Sequence, residues 1–397
     1  MININGKCKK QFMKVQSAFE KNFQDHDEIG AAITVYHKGT KVVDLWAGYK
    51  DKNTFSLWEE DTIVPVFSVT KGLTSLCFLI LATQKKINYD EKVALYWPEF
   101  ASKGKENITI RELLEHRAGL HVLDCNLLIE DFWNNPDKVY NALISQKPKW
   151  IQTDRQAYGA QVWGAYAAEL FKQITGETAG NFFNREISKK LKLNVFLGLP
   201  SVYQSRVATV YPVSSIDRIR SLIPHFFNRN DSEGRTVRAI LTGDTNTTRA
   251  YLNPWIGFRG LHAFNDPDLQ TSELLWANGM ADARSLAYLY NIFVTNGKNL
   301  KIKIATKKIL DELTSPRVLK YDEVIHKNLA WSLGFMKEET GVFSPNPESF
   351  GHPGMGGSLG FVDTKAKISI GYVCNKMDYR NRPLKTLALC KAVYESI

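Results

Sequence analysis

Apolar positions along the chain change period twice. Ala31 to His37 (AAITVYH) and Lys41 to Ala47 (KVVDLWA) are β-branched runs joined by Lys38-Gly39-Thr40, the pattern of a hairpin. Ahead of them Phe12, Val15, Phe19 and Phe23 form one stripe in the basic segment Lys9 to Phe23, which predicts a first helix docked on the core. From Ser68 to Gln84 the chain is apolar almost all round (GLTSLCFLILAT), so a helix is expected there, buried on most of its surface at the centre of the molecule. Between about Ile87 and Thr314 the period is mainly helical, as in Ile110–His116, Gln161–Ile174 and Ser285–Thr295, with Gly, Pro and Asn loops between. Strands return at Trp331–Lys337, Gly356–Asp363 and Ile368–Cys374. A helix from Pro383 to Tyr394 closes the chain, its proline suited to a first helical position. Strands at both ends with helices between predict one sheet assembled from the two termini and flanked by a helical lobe, an α/β (α+β) architecture.

Composition narrows the classes. With 397 residues, 44% hydrophobic and 23% charged, the chain is neither disordered nor fibrous. Its longest uncharged apolar stretch, Gly72 to Gln84, is shorter than the roughly 18 to 20 residues that cross a bilayer, so no membrane association is expected. The start MININGKCKK lacks the apolar core and cleavage site of a secretory signal, and Glu20, Asp25 and the absence of arginine argue against organelle import. Five scattered cysteines without a C-x-x-C pair suit reduced thiols in a cytoplasm. The net charge of +10 raises nucleic-acid binding, but the lysines fall in short runs (Lys7–Lys14, Lys189–Lys192, Lys298–Lys308) with no recognition motif around them, and solvated faces account for them. There is no phosphate-cradling loop after a strand and no H-E-x-x-H, so neither cofactor nor metal is indicated.

Two serine motifs compete. Gly356-Gly357-Ser358-Leu359-Gly360 matches the G-x-S-x-G elbow, whose histidine must follow the serine, yet no histidine follows Ser358. A glycine-rich turn into a strand accounts for those residues better. Ser68-Val69-Thr70-Lys71 is an S-x-x-K at the head of the buried helix; Ser102-Lys103-Gly104-Lys105 repeats the pattern in a polar loop. Residues three apart share a helix face, so the Lys71 amine can approach the Ser68 hydroxyl. Burial and the helix N-terminus both disfavour charge on Lys71 and make it a base, while free N–H groups of the first turn can face an oxyanion. Those four residues alone equally allow Ser68 as a helix N-cap and Lys71 as a snorkelling side chain.

In company the segments say more. Phe67–Gly72 (FSVTKG), Ile110–Leu120 (IRELLEHRAGL), Gln156–Gly164 (QAYGAQVWG), Ala277–Leu286 (ANGMADARSL) and Phe350–Phe361 (FGHPGMGGSLGF) resemble the serine β-lactamases and penicillin-binding proteins. Closer still, the chain resembles the family VIII carboxylesterases, the esterase branch related to class C β-lactamases. The resemblance runs from about Ala31 to Pro383 and implies a single domain over 1–397 with an antiparallel sheet. Its sheet lobe would be about 1–66 and 325–397, its helical lobe about 67–324.

It further implies Ser68 as nucleophile, Lys71 and Tyr158 as proton-transfer groups with Tyr158 as a tyrosinate between cations, and the N–H groups of Ser68 and Met355 as oxyanion hole. His352-Pro353-Gly354 would be the third box, on an edge of the sheet facing the serine; the alternative register is Met355-Gly356-Gly357. Two departures bear on substrate. Tyr158-Gly159-Ala160 lacks the amide that holds an acylamino arm, and His352 replaces a permanent cation, so uncharged esters are favoured over penicillins. The expectation is a serine hydrolase working through an acyl-enzyme on a small ester or amide. Rival readings are a β-lactamase, D-amino-acid peptidase, amidase or acyltransferase, or a non-catalytic protein on the same scaffold. The loops Leu123–Asp137 and Val202–Pro254 would shape the pocket, with Trp133, Tyr211, Phe226, Phe227 and Trp255 either lining it or packing the lobe. The sequence carries no signal of oligomeric state.

Overall fold

A computed structural model describes residues 2–151, 154–214, 223–224, 226–228, 232–297, 303–339 and 341–397. Parts of the loop Val202–Pro254 and of the lysine run Lys298–Lys308 fall outside them. Among the described residues the principal sheet has nine strands: β1 (Ile4–Cys8), β2 (Gly30–His37), β3 (Thr40–Asp51), β4 (Ser56–Leu57), β5 (Trp331–Ser332), β6 (Phe335–Lys337), β7 (Phe350–Pro353), β8 (Leu359–Asp363) and β9 (Ile368–Cys374). They run in the order β1-β3-β2-β9-β8-β7-β6-β5, with β4 on the far part of β3, and every pairing is antiparallel. The two chain ends meet where β2 pairs β9, from Ile368 opposite His37 to Cys374 opposite Ala31.

Strand alternation sends side chains into two cores. Ala31, Ile33 and Val35 of β2 and Ile368, Ile370 and Tyr372 of β9 pack under helices α1 (Met13–Asp25) and α5 (Leu384–Tyr394), with Phe12, Val15, Phe19, Leu389 and Val393. Val362 and Val373 face the other way, into the larger core built around α2 (Val69–Thr83), α3 (Val162–Thr175) and α4 (Ala283–Thr295). With helices on both faces, β8 and β9 are buried along their whole length. Helix α2 has only Thr83 and Ala82 outside the buried set, as its all-round apolar pattern requires. Among the described residues no helix is long and apolar enough to cross a membrane.

Several boundaries differ from the pattern reading. β1 is an edge strand of mostly exposed residues, so its partnership with β3 rests on the backbone and leaves no apolar alternation to read. Trp331–Lys337 is two strands, folded back on each other at Leu333-Gly334, both in the left-handed region. The run from Gly356 is not strand until Leu359: Met355–Gly357 is a tight turn with both glycines at positive φ. Pro383 caps α5 from outside in an extended conformation instead of opening it.

Candidate active site

A three-stranded sheet of short strands steadies the arm that carries Ser68: Val64–Pro65 pairs with Met280–Ala281, which also pairs with Val195–Phe196. Beyond it Phe67 takes a positive φ of 47°, turning the chain sharply into α2. Thr70 holds that corner, donating through Oγ1 to the Phe67 carbonyl and accepting from the Gly279 N–H at 2.9 Å. From Thr62 to Leu81, Ser68 alone is not buried. Its hydroxyl makes no capping bond to the helix; instead it accepts a hydrogen bond from the Tyr158 hydroxyl at 3.0 Å.

Lys71 is fully buried one turn on. Its Nζ donates to the carbonyls of Ala160 (2.8 Å) and Trp276 (3.3 Å) and lies 4.7 Å from the centroid of the Tyr158 ring. Burial holds its pKa well below the ordinary lysine value. A neutral amine has two N–H bonds and one lone pair. In the neutral form that burial favours, the two carbonyls take both hydrogens and one lone pair remains.

Tyr158 is set from behind. Its N–H donates to Asp322 Oδ1 at 3.2 Å, the Ala157 N–H to the His116 carbonyl at 3.0 Å, and the Gly159 N–H to His116 Nδ1 at 3.1 Å. The phenol ring stacks on Trp331 (centroids 5.7 Å, planes 9° apart) and tilts against His116 at 5.0 Å. In this setting the tyrosinate expectation fails: burial raises the Tyr158 pKa far more than the Ser68 hydrogen bond and Arg382 lower it, so the resting phenol is neutral. Asp322 is also fully buried; burial pushes its carboxyl up to about 6 against the pull of the Ile325, Tyr158 and Val324 N–H groups.

His352 and Pro353 pair with Gly360 and Leu359 of β8, while the ladder between β7 and β6 covers Phe350 and Gly351 and stops short of the third box. His352 is buried, with Nδ1 2.7 Å from the Pro353 carbonyl. A carbonyl only accepts, so Nδ1 carries the proton and Nε2 the lone pair. Burial lowers its pKa to about 3, so the box presents no cation. A Cβ on Gly354 would lie 2.3 Å from the Val66 carbonyl oxygen, so only glycine lets the end of β7 press against the arm that carries Ser68. Of the two registers for this box, His352-Pro353-Gly354 spans the end of β7 and the contact with that arm, whereas Met355-Gly356-Gly357 forms the turn beyond it. Met355 opens that turn, 44% exposed. Among the described residues, neither the Ser68 N–H nor the Met355 N–H meets an acceptor.

The rival motifs resolve into structure. Ser358 is buried in the turn into β8, its carbonyl accepting the Gly354 N–H at 2.6 Å, and no helix follows it. In the second S-x-x-K, Ser102 Oγ and Lys105 Nζ both donate to the Ile144 carbonyl at 2.6 Å, tying down the end of the helix Pro136–Ser145. Of the aromatic candidates, Trp133 and Trp255 line a cavity of about 590 Å³, together with Phe258 and Ala263. The neighbouring Phe264 packs on Phe67, centroids 4.8 Å apart. Tyr211 donates to Asp51 at 2.8 Å, and Phe226 and Phe227 pack edge to face on each other. Residue-level reading missed His116, Trp331, Asp322 and the Ala160 and Trp276 carbonyls. His116 carried one usable signal, a lone histidine in the otherwise apolar and charged IRELLEHRAGL. Among the described residues no group of three or more His, Cys, Asp or Glu side chains is arranged to hold a metal ion.

The Beta-lactamase family model matches residues 15–392. Esterase/beta-lactamase LipL of Mycobacterium tuberculosis is 27% identical over 383 residues, covering 94% of this chain and 83% of that protein. Among solved structures, a family VIII carboxylesterase is 31% identical with a TM-score of 0.85, all of both chains being covered. A penicillin-binding protein homolog from Caulobacter crescentus is 28% identical with a TM-score of 0.83, again over the full length of both. A match that spans this much of the chain makes the protein a member of the Beta-lactamase family, and within it a serine hydrolase.

Proposed function

We propose that the protein is a carboxylesterase for small uncharged esters, working through an acyl-enzyme on Ser68. The observation that carries the reading is the Tyr158 hydroxyl at 3.0 Å from Ser68 Oγ, beside an amine whose neutral form burial favours. Because Tyr158 donates to Ser68, the Ser68 proton is free to leave toward the Lys71 lone pair as Oγ attacks the ester carbonyl. The N–H groups of Ser68 and Met355 would hold the oxyanion. On collapse the ester C–O bond breaks, and the departing alkoxide takes a proton from Tyr158, which Lys71 then replaces. Water repeats the sequence on the acyl-enzyme and releases the acid.

Two features support uncharged substrates. His352 is neutral where a β-lactam carboxylate would need a cation, and Ala160 offers the site only its carbonyl, already taken by Lys71. All five cysteines are unpaired, which supports a reducing, cytoplasmic setting. The test compares p-nitrophenyl butyrate with nitrocefin and follows a fluorophosphonate by intact mass. Ester turnover, a single adduct on Ser68 and loss of both in Ser68→Ala are expected. Abundant nitrocefin turnover without ester turnover would reverse the ranking, since the name of the mycobacterial relative covers both activities.

A further inference from the structure

The turn Met355–Gly357 is shaped by groups that come from the end of β9, the segment after it and α5, where the second core lies, and not from the α2 side that carries Ser68. The Gly356 carbonyl accepts from the Asp378 N–H at 3.2 Å and from Cys374 Sγ at 3.6 Å. That peptide unit also contains the Gly357 N–H, which donates to the Gly354 carbonyl at 3.2 Å. The Gly354 carbonyl shares its planar trans unit with the Met355 N–H, so fixing the one points the other in the opposite direction. Thr386 Oγ1 completes the hold, donating to the Gly357 carbonyl at 2.7 Å.

The wall behind these donors is itself immobile. Lys385 runs beneath Gly357, where an added Cβ would stand 2.8 Å from its Cε. Its Nζ donates to the Lys376 carbonyl at 2.5 Å and pairs with buried Glu28 at 3.0 Å, and Glu28 accepts from the Tyr372 hydroxyl at 2.6 Å. Gly356 and Gly357 hold φ of 87° and 131°, so the turn depends on glycine and on what grips its carbonyls.

We propose that Thr386 and Cys374 are positioning residues for the Met355 N–H: through the carbonyls of Gly357 and Gly356 they orient two successive peptide units so that this donor faces the oxyanion. The inference rests on the acyl-enzyme reading. Hydrogen bonds in series polarise one another, and a donor displaced by a fraction of an ångström loses much of its effect on a developing charge.

The experiment measures kcat and KM on p-nitrophenyl butyrate, normalised to sites titrated with a fluorophosphonate, together with the phosphonylation rate and the melting temperature. For Thr386→Val, which keeps the shape and removes the donor, kcat per titrated site is expected to fall about tenfold, short of the hundredfold or more for losing an oxyanion donor outright. KM should stay within about twofold, and phosphonylation should slow in parallel because its oxygen occupies the same place. Thr386→Ser should recover the rate. Wild-type kcat in Thr386→Val, or Thr386→Ser as slow as Thr386→Val, overturns the proposal, as does a variant that only melts earlier. If Thr386→Val does not fold, Cys374→Ala against Cys374→Ser makes the same comparison, and an unimpaired Cys374→Ala overturns the proposal. A wild type with neither ester turnover nor Ser68 labelling defeats the esterase reading and the inference with it; an active wild type with unaffected variants defeats the positioning alone.

Discussion

Tyr158→Phe separates chemistry from packing at the one contact on which the function rests. The substitution removes an oxygen and leaves the ring, so stacking on Trp331 at 5.7 Å, the tilted contact with His116 and the 4.7 Å approach of Lys71 persist. The structural loss is one hydrogen bond, to a hydroxyl that remains open to solvent and can rehydrate, about 1 kcal/mol at most. In a chain of this length that is a change in melting temperature of about 1 °C. If Tyr158 moves the proton, its removal costs about a hundred- to ten-thousandfold in kcat/KM, or about 3 to 5 kcal/mol of transition-state stabilisation. Rate and stability should therefore part company. A second contrast identifies the step. p-Nitrophenolate leaves without a proton and an alkoxide does not, so the defect should be larger on an alkyl butyrate, followed by acid release, than on the p-nitrophenyl ester. A Tyr158→Phe enzyme within about threefold of wild type on both esters would remove Tyr158 from proton transfer. Equal defects on the two would remove it from leaving-group protonation and leave only a part in activating Ser68.

Asp322 has a folded pKa of about 6 against an ordinary 3.8, so the folded state keeps a proton that the unfolded chain has released; the stability this provides is present below about pH 4 and lost as pH rises through 6, about 3 kcal/mol in all. The difference in urea midpoint between wild type and Asp322→Asn should trace that loss, and parallel curves would contradict the assignment. Lys385→Met leaves Glu28 charged and buried and should cost about 3 to 5 kcal/mol by denaturant titration, much of it regained when Glu28→Met is added. Ser102→Ala should leave kcat unchanged and lower stability by about 1 kcal/mol; a loss of turnover would mean that the second S-x-x-K reaches the chemistry.

What could be read beforehand followed the strength of the local signal. The β2–β3 hairpin and α2 were legible because β-branched alternation and an all-round apolar run each admit one economical structure. β1 was invisible, since an exposed edge strand held by backbone bonds needs no particular side chains. The resemblance named Ser68 and Tyr158, which the structure brings to 3.0 Å, but it carried no information on their states of charge. Whether Tyr158 is a phenol depends on Trp331, His116 and Asp322, and no local pattern announces that these converge on it. The two strands beyond β7 were hidden for a similar reason: they come from the doubling back of Trp331–Lys337 at a two-residue turn.

The two S-x-x-K copies show what distinguishes a reactive serine from a structural one when the motif is the same. In both, the lysine is drawn out of water and its Nζ is given to backbone carbonyls: Ala160 and Trp276 for Lys71, Ile144 and Gln146 for Lys105. In both, burial lowers the lysine pKa, to about 8 for Lys105. An amine of reduced basicity near a hydroxyl is therefore not the deciding property. The difference lies in the hydroxyl. Ser102 spends its proton on the Ile144 carbonyl, the same oxygen that Lys105 takes, so the pair closes on itself. Ser68 spends nothing among the described residues: it sits at a corner held by Thr70, it accepts a hydrogen bond from Tyr158 and donates none, and the first-turn N–H beside it meets no acceptor. On the proposed mechanism Ser68 serves as nucleophile because, among the described residues, the fold withholds from it the acceptor that an ordinary turn would provide.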